Sequence, residues 1–379
     1  MAERHTDVLV IGGGTMGTAA GWAIARRGHS VRVLEQFDHV NALASHGGIS
    51  RIFRHAYAEG AVYVPWALQA DDMWHELQDR AGTSIIHRVG CLDMAAPGYE
   101  HAALARASGD AYNLDYEWID GAEVRRRFPI WNVPDDWVAC YTSQAGYLEV
   151  EPALRAMASE MRDAGGAMDT HCRVNGWSAG ADGVRVETSN GEYTGDRLVI
   201  AGGAWNIHLL KALGLPLVVH RKPLYWLASE RPDLIEPDRF PCWIAECEFG
   251  HPYGLPKVDV PGFKTGLHVG GDEADPDTLD REIRDEDLSA NLGPFFEKYM
   301  NFYTGKVESA SVCMYTMTPD EDFIIDRHPE HDQVVFAAGF SGHGFKFAPV
   351  IGEHLADLAL DPAARPRPTF GIDRFAVTT

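Results

Sequence analysis

No stretch of this chain approaches the roughly 20 consecutive apolar residues that a bilayer-spanning helix needs, so no membrane association is expected. Cysteine is sparse and scattered. Cys91, Cys140, Cys172, Cys242, Cys247 and Cys313 form no C-x-x-C pair, and no His/Cys cluster has zinc spacing. A structural metal is therefore not expected, and if a cysteine matters it matters singly. Positive charge is also short: 33 Lys and Arg stand against 55 Asp and Glu, for a net −22. Such a chain repels phosphate backbones and anionic lipid, which argues against nucleic acid as a partner. It does not exclude an anionic substrate, because a local Arg/Lys cluster can focus an opposite field. The first residues, Met1 to Asp7, run almost directly into a strand with no secretory-type leader. The expected setting is a reduced cytoplasm. Low-complexity segments and internal repeats are missing as well.

With 379 residues the chain exceeds what one hydrophobic core usually serves, so two intimately connected domains are expected. Its clearest unit is residues 7–35. Val8-Leu9-Val10-Ile11 reads as a strand buried on both faces. Gly12-Gly13-Gly14-Thr15-Met16-Gly17 follows, then a helix from about Thr15 to Arg27 with Met16, Ala19, Ala20, Ala23 and Ile24 on one face. Gly28 stands at the C-cap. Val31-Arg32-Val33-Leu34 is a second strand, closed by Glu35. Gly12 permits the tight turn, Gly14 lets a pyrophosphate approach the backbone, and Gly17 lets helix and strand pack closely. The helix N-terminus offers free N–H groups to phosphates, and Glu35 is placed to accept from a ribose hydroxyl. Strand, glycines, helix, strand and acid in this order predict a dinucleotide site. The motif alone does not separate FAD from NAD.

Further along, Arg51 and Arg54 are three apart, so a helical turn would set them on one side. Met73, Trp74, Leu77 and Ala81 have helical spacing and read as core. Residues 84–147 read as turns and short strands. A helix is predicted near 152–164 between Pro152 and Gly165-Gly166, then strands at 168–174, 184–188 and 197–201, with a hairpin turn at Ser189-Asn190-Gly191. Residues 216–318 suggest an antiparallel sheet, with separate runs at Val218-Val219 and at Leu224 to Leu227. A last buried strand at 334–339 runs through Phe340-Ser341-Gly342-His343-Gly344-Phe345-Lys346 into a helix over 349–360. That glycine-rich junction again aims a helix N-terminus at an anion.

Three of these segments together carry a resemblance: GGGTMG with Glu35, ESASVCMYTMTPDEDFIID at 308–326, and AAGFSGHGFKFAPVIGE at 337–353. With SRIFRHAYAEG at 50–60, and in the same order over nearly the whole length, they resemble the monomeric sarcosine oxidase and N-methyltryptophan oxidase family. These are FAD-dependent amine oxidases of the D-amino acid oxidase-like fold. The implied fold is a two-domain α/β flavoprotein. Its Rossmann-type FAD-binding domain would comprise 1–83, 148–215 and 319–379. Its substrate domain, on a mixed or antiparallel sheet, would comprise 84–147 and 216–318.

The resemblance implies FAD joined through its 8α-methyl to the sulfur of Cys313, a residue otherwise readable as plain core; the thiolate, not the thiol, would add. It assigns Arg54 and Lys346 to the substrate carboxylate, a guanidinium fork and a point charge. Lys264 would face flavin N5 and assist oxygen, and Arg51 would lie over the flavin face. His268, Tyr253 and Tyr315 would line the amine pocket with Ile244, which stands where a methionine often touches substrate. Met16, Ser50, Val174, Gly342 and Gly344 would contact the cofactor. No metal is implied. The expected partners are a small amine and oxygen, with the protein a monomer. Two departures bear on the substrate. Where the family usually carries a histidine and an aspartate before the first arginine, this chain has Gly47 and Ile49. Sarcosine is the simplest substrate; a bulkier or cyclic secondary amino acid, or a dehydrogenase using another acceptor, are the alternatives.

Overall fold

Strand His5–Ile11 anchors the first sheet. Strand Val31–Leu34 pairs parallel to it on one side and strand Gly191–Ile200 on the other, and strand His331–Ala338 pairs parallel to the latter. The register aligns Ile11 with Leu34 and Ile200, and Ile200 with Phe336. All four strands therefore end at one edge, where Gly12, Glu35, Ala201 and Ala337 follow. Ligands of open parallel sheets bind in the crevice at that edge. The computed structural model describes residues 5–375, so the opening four residues, on which the leaderless start was partly read, lie outside them. Among the described residues no helix is long and apolar enough to cross a membrane.

Helix Thr15–Arg26 follows the first turn as expected. It is buried from Met16 to Ala25, because helices Val150–Asp163 and Ala348–Leu360 pack against it. Gly12 has φ +94°, and a Cβ on Gly17 would lie 1.7 Å from the Gly12 carbonyl oxygen. These two glycines are what the turn geometry demands.

The second sheet has eight strands, in the order Tyr303–Met317, Val218–Ser229, Phe263–Leu267, Pro252–Leu255, Cys242–Glu246, Cys91–Ala95, Val138–Thr142 and Glu117–Asp120. Trp131, Phe240, Trp243, Phe263, Phe295 and Phe296 fill one of its faces. Its pairs are antiparallel except for Cys242–Glu246 with Cys91–Ala95. A small third sheet joins Ser50–Phe53, Gly146–Glu149 and Ile86–Arg88.

Several local expectations are corrected. Arg51 and Arg54 are not on a helical turn: Ser50–Phe53 is a strand paired with Gly146–Glu149, and Arg54 stands just beyond it. The segment 84–147 is not only turns and strands. It holds helix His101–Ala111, rich in alanine, and helix Gly121–Arg127, capped by Asp120 accepting from the Glu123 N–H at 2.8 Å. The strand expected over 168–174 breaks after Asp169 and a new one, Val174–Gly180, begins beyond His171 at φ +52°. The runs at 218 and 224 fuse into the single strand Val218–Ser229. Pro223 is tolerated because pairing to Phe263–Leu267 begins only at Leu224, so the missing N–H interrupts no ladder there. Ala81 is exposed, and Trp66, Ala67 and Ala70 join Trp74 and Leu77 in the core.

Candidate active site

A crevice of about 1100 Å³ opens at the aligned strand ends. Small-molecule sites usually run to roughly 300–1,000 Å³, so this one suits a dinucleotide. Gly12, Gly14, Met16 and Glu35 line one part and Val174 to Ala179 another, while Arg51, Tyr315, Gly342 and Gly344 line a third. Glu35 Oε2 accepts from the Gly13 N–H at 2.7 Å and Oε1 from the Phe37 N–H at 2.9 Å, so the acid fixes the glycine turn. Burial nonetheless pushes its carboxyl above the ordinary value. His46 is buried on the crevice wall, and its Nε2 has no hydrogen-bond partner among the described residues. Burial, aided by Arg51, drives its imidazole down to about 3. The residues present therefore fit FAD: a glycine turn at a helix N-terminus, an acid beside it and a long cleft.

At the junction of the two large sheets, Cys313 is buried on strand Tyr303–Met317, its Sγ 3.1 Å from the Ser45 carbonyl oxygen. Met314 and Tyr315 beside it reach the crevice. Arg51 donates to the carbonyls of Ser45, Gly47, Gly48 and Ser50, at distances of 2.6 to 3.3 Å, which locks the 45–50 loop around one guanidinium. Lys264 is buried and donates to the Gly48 and Ser50 carbonyls at 2.5 and 2.6 Å. Burial, with Arg51 nearby, holds this lysine well below its ordinary value. Gly47 leaves no room for the family's histidine without backbone movement, since a Cβ would lie 2.8 Å from the Ala42 carbonyl oxygen. Ile49 holds φ +60°, rare for a β-branched residue, and packs against the cluster of Leu224, Trp226 and Cys313.

Arg54 and Lys346 are brought together by Tyr57, which the sequence reading missed. The Tyr57 ring centre lies 4.7 Å from the Arg54 guanidinium carbon and 5.0 Å from Lys346 Nζ, and Nζ donates to Tyr57 Oη at 3.0 Å. Two acids were missed as well. Glu59 takes Arg54 Nη2 on both oxygens at 2.7 and 2.8 Å, and Asp93 Oδ1 lies 3.2 Å from Nη1. Burial works against these charges. Asp93 and Glu59 still hold Arg54 above its ordinary value, and Arg54 holds Glu59 well below its own. Burial, with Arg54 adding to it, pushes Lys346 down to about 7. Glu59 had a signal, since it falls inside the quoted 50–60 segment. Asp93 had none, being a single acid in an apolar strand.

The remaining expected pocket residues gather nearby. His268 and Tyr315 rings are 5.7 Å apart, and burial holds His268 well below its ordinary value. Ile244 pairs with Tyr253 across one ladder and with Asp93 across the next, so all three share a sheet face. Ser50, buried on strand Ser50–Phe53, and Gly17, buried in helix Thr15–Arg26, do not line the crevice.

The fold and crevice define a dinucleotide-binding flavoprotein scaffold. Residues 7–358 match the model of the FAD dependent oxidoreductase family, and the chain belongs to that family. It is 40% identical over 364 residues to a monomeric sarcosine oxidase of Bacillus sp. (strain B-0618), covering 94% of this chain and 93% of the relative. An N-methyl-L-tryptophan oxidase of Yersinia pestis (strain Pestoides F) is 31% identical over 372 residues, covering 97% and 99%. The solved structure of NikD, an amino acid oxidase of nikkomycin biosynthesis, superposes with a TM-score of 0.85 at 24% identity, covering 98% of this chain and 97% of NikD.

Proposed function

We propose that this protein is an oxidase of a small secondary amino acid, such as sarcosine. It would yield the demethylated amino acid, formaldehyde and hydrogen peroxide, with FAD fixed to Cys313. The observation that carries this reading is the pairing of Arg54 and Lys346 about Tyr57, beside a crevice that fits FAD. FAD, when bound, supplies the two-electron acceptor. The chain supplies the rest. Arg54 and Lys346 hold the substrate carboxylate once Glu59 yields the Nη2 edge. The buried surroundings of Tyr253, Tyr315 and His268 favour the neutral amine, the form with a lone pair. In its protonated form Lys264 stabilises the negative charge that develops as oxygen is reduced. The support for attachment is a buried cysteine whose neighbours in the chain line the crevice.

In this reading segments 1–83, 148–215 and 319–379 carry the cofactor, and 84–147 with 216–318 the substrate side. The protein acts as a monomer on a small amine and oxygen. Six free cysteines suit a reducing cytoplasm, and the net charge of −22 disfavours nucleic acid. A peroxide assay across N-methyl amino acids, cyclic secondary amino acids and primary amino acids tests the reading. Peroxide is expected with the first group, and an equal response to primary amino acids would sink it.

A further inference from the structure

Lys222 has no part in the reading above. It lies within strand Val218–Ser229, 3% exposed, and its Nζ donates to the carbonyls of His268, Val269 and Gly270 at 3.0, 3.0 and 2.8 Å. All three ammonium donors are thus used, but on neutral acceptors. Among the described residues no carboxylate pairs with it; Glu321 acts on it only through space. A buried cation without a paired anion is costly to keep, and burial draws this one down to about 7.

Its place on the sheet suggests what it serves. Lys222 is the register partner of Cys313 in the antiparallel ladder. Side chains directly opposite in such a ladder share a face, with Cβ atoms about 4.5–5.5 Å apart. Tyr315, two residues on, is on that face too, its ring centre 4.9 Å from Nζ. Cys313 bears electrostatically on Lys222, Lys264, Arg281, Tyr253 and Tyr315, and the first three of these are bases. Lys264 serves the Gly48 and Ser50 carbonyls, and Arg281 those of Val312 and Leu43.

We propose that Lys222 is a positioning residue for flavin attachment: its ammonium favours the thiolate of Cys313, the form that adds to the 8α-methyl. This rests on the reading of Cys313 as the attachment residue. The step forms one C–S bond and breaks the S–H bond and one C–H bond of that methyl. Two electrons pass to the flavin and then to dioxygen, and the two hydrogens leave with them as hydrogen peroxide.

The test uses flavin-free protein from riboflavin-starved cells. Two rates are read: alkylation of Cys313 by iodoacetamide at one near-neutral pH, by peptide mass, and fixation of added FAD, by fluorescence after denaturation. Lys222→Gln keeps a donor for the carbonyls and removes the charge; Lys222→Arg keeps the charge. The Gln variant is expected to slow both rates about ten-fold, and the Arg variant to stay within about two-fold of the parent, because thiolate fraction sets both. Parental rates in the Gln variant, or equal slowing in both, would overturn the proposal and leave Lys222 a staple for the 268–270 carbonyls. Should the parent never fix FAD to Cys313, the attachment reading fails separately, while the alkylation rates still report on Lys222.

Discussion

Arg54 Nη1 and Asp93 Oδ1 lie 3.2 Å apart with 1% and 0% of their side chains exposed. The same oxygen lies 2.9 Å from His101 Nε2, and Oδ2 has no partner among the described residues. Arg54 is thus held at one edge by a fixed acid and at the other by Glu59 on the loop after it, and in the proposed site a substrate carboxylate would meet it in that state.

Breaking that pair costs stability before it touches chemistry. Asp93→Leu leaves Arg54 Nη1 and His101 without their acid, and removing one partner of a buried pair costs about 3–5 kcal/mol. The urea midpoint should fall accordingly, and Asp93→Asn, which keeps an acceptor, should lose less. Equal midpoints for the parent and the Leu variant would contradict the pairing.

In the proposed carboxylate site Lys346 would bring a pH dependence. With its value near 7, it is charged below neutrality and loses its proton as pH rises. Arg54 stays charged throughout. Inhibition by a simple carboxylate such as acetate, which does not itself titrate there, should weaken progressively above about pH 7, while Lys346→Met should flatten the profile. A flat profile in the parent would remove Lys346 from the anion site.

In the proposed reaction Lys264→Met would separate flavin reduction from reoxidation. Anaerobic reduction by the amine should be mostly preserved, and reoxidation by oxygen should slow by roughly two orders of magnitude or more, the scale seen when one preorganised electrostatic group is lost. Collapse of reduction with oxygen reactivity intact would reverse the assignment.

Gly17→Ala tests the cofactor turn. Its Cβ would lie 1.7 Å from the Gly12 carbonyl oxygen and 2.9 Å from the carbonyl carbon, both backbone atoms that side-chain rotation cannot move aside. The variant should be colourless or fail to accumulate. A yellow protein of parental thermal stability would show that the turn is not what holds the cofactor.

The nucleotide half was legible because its physics is local. A strand buried on both faces, a glycine turn and a capped helix write their own signals, and Gly12, Gly17 and Glu35 fell where spacing put them. The Arg54 site was legible only in part. Arg54 and Lys346 are 292 positions apart, and motifs joined them through resemblance rather than geometry. Asp93 and Lys222 stayed hidden because sheet register, not sequence proximity, sets what each faces, and Tyr57, on the loop after strand Ser50–Phe53, because nothing local marks what its ring packs against. Asp93 is placed by its pairing with Ile244, and Lys222 by its pairing with Cys313. The helical reading of Arg51 and Arg54 failed because three-residue spacing carries no evidence against a strand whose partner lies about a hundred residues away.

An anaerobic titration of the purified holoprotein with N-methyl amino acids, followed by absorption, tests the proposed amine oxidation most directly. Loss of the oxidised-flavin band, one equivalent of amine per flavin and with return of the band on admitting air, is the predicted result. A band that no secondary amino acid bleaches would contradict it.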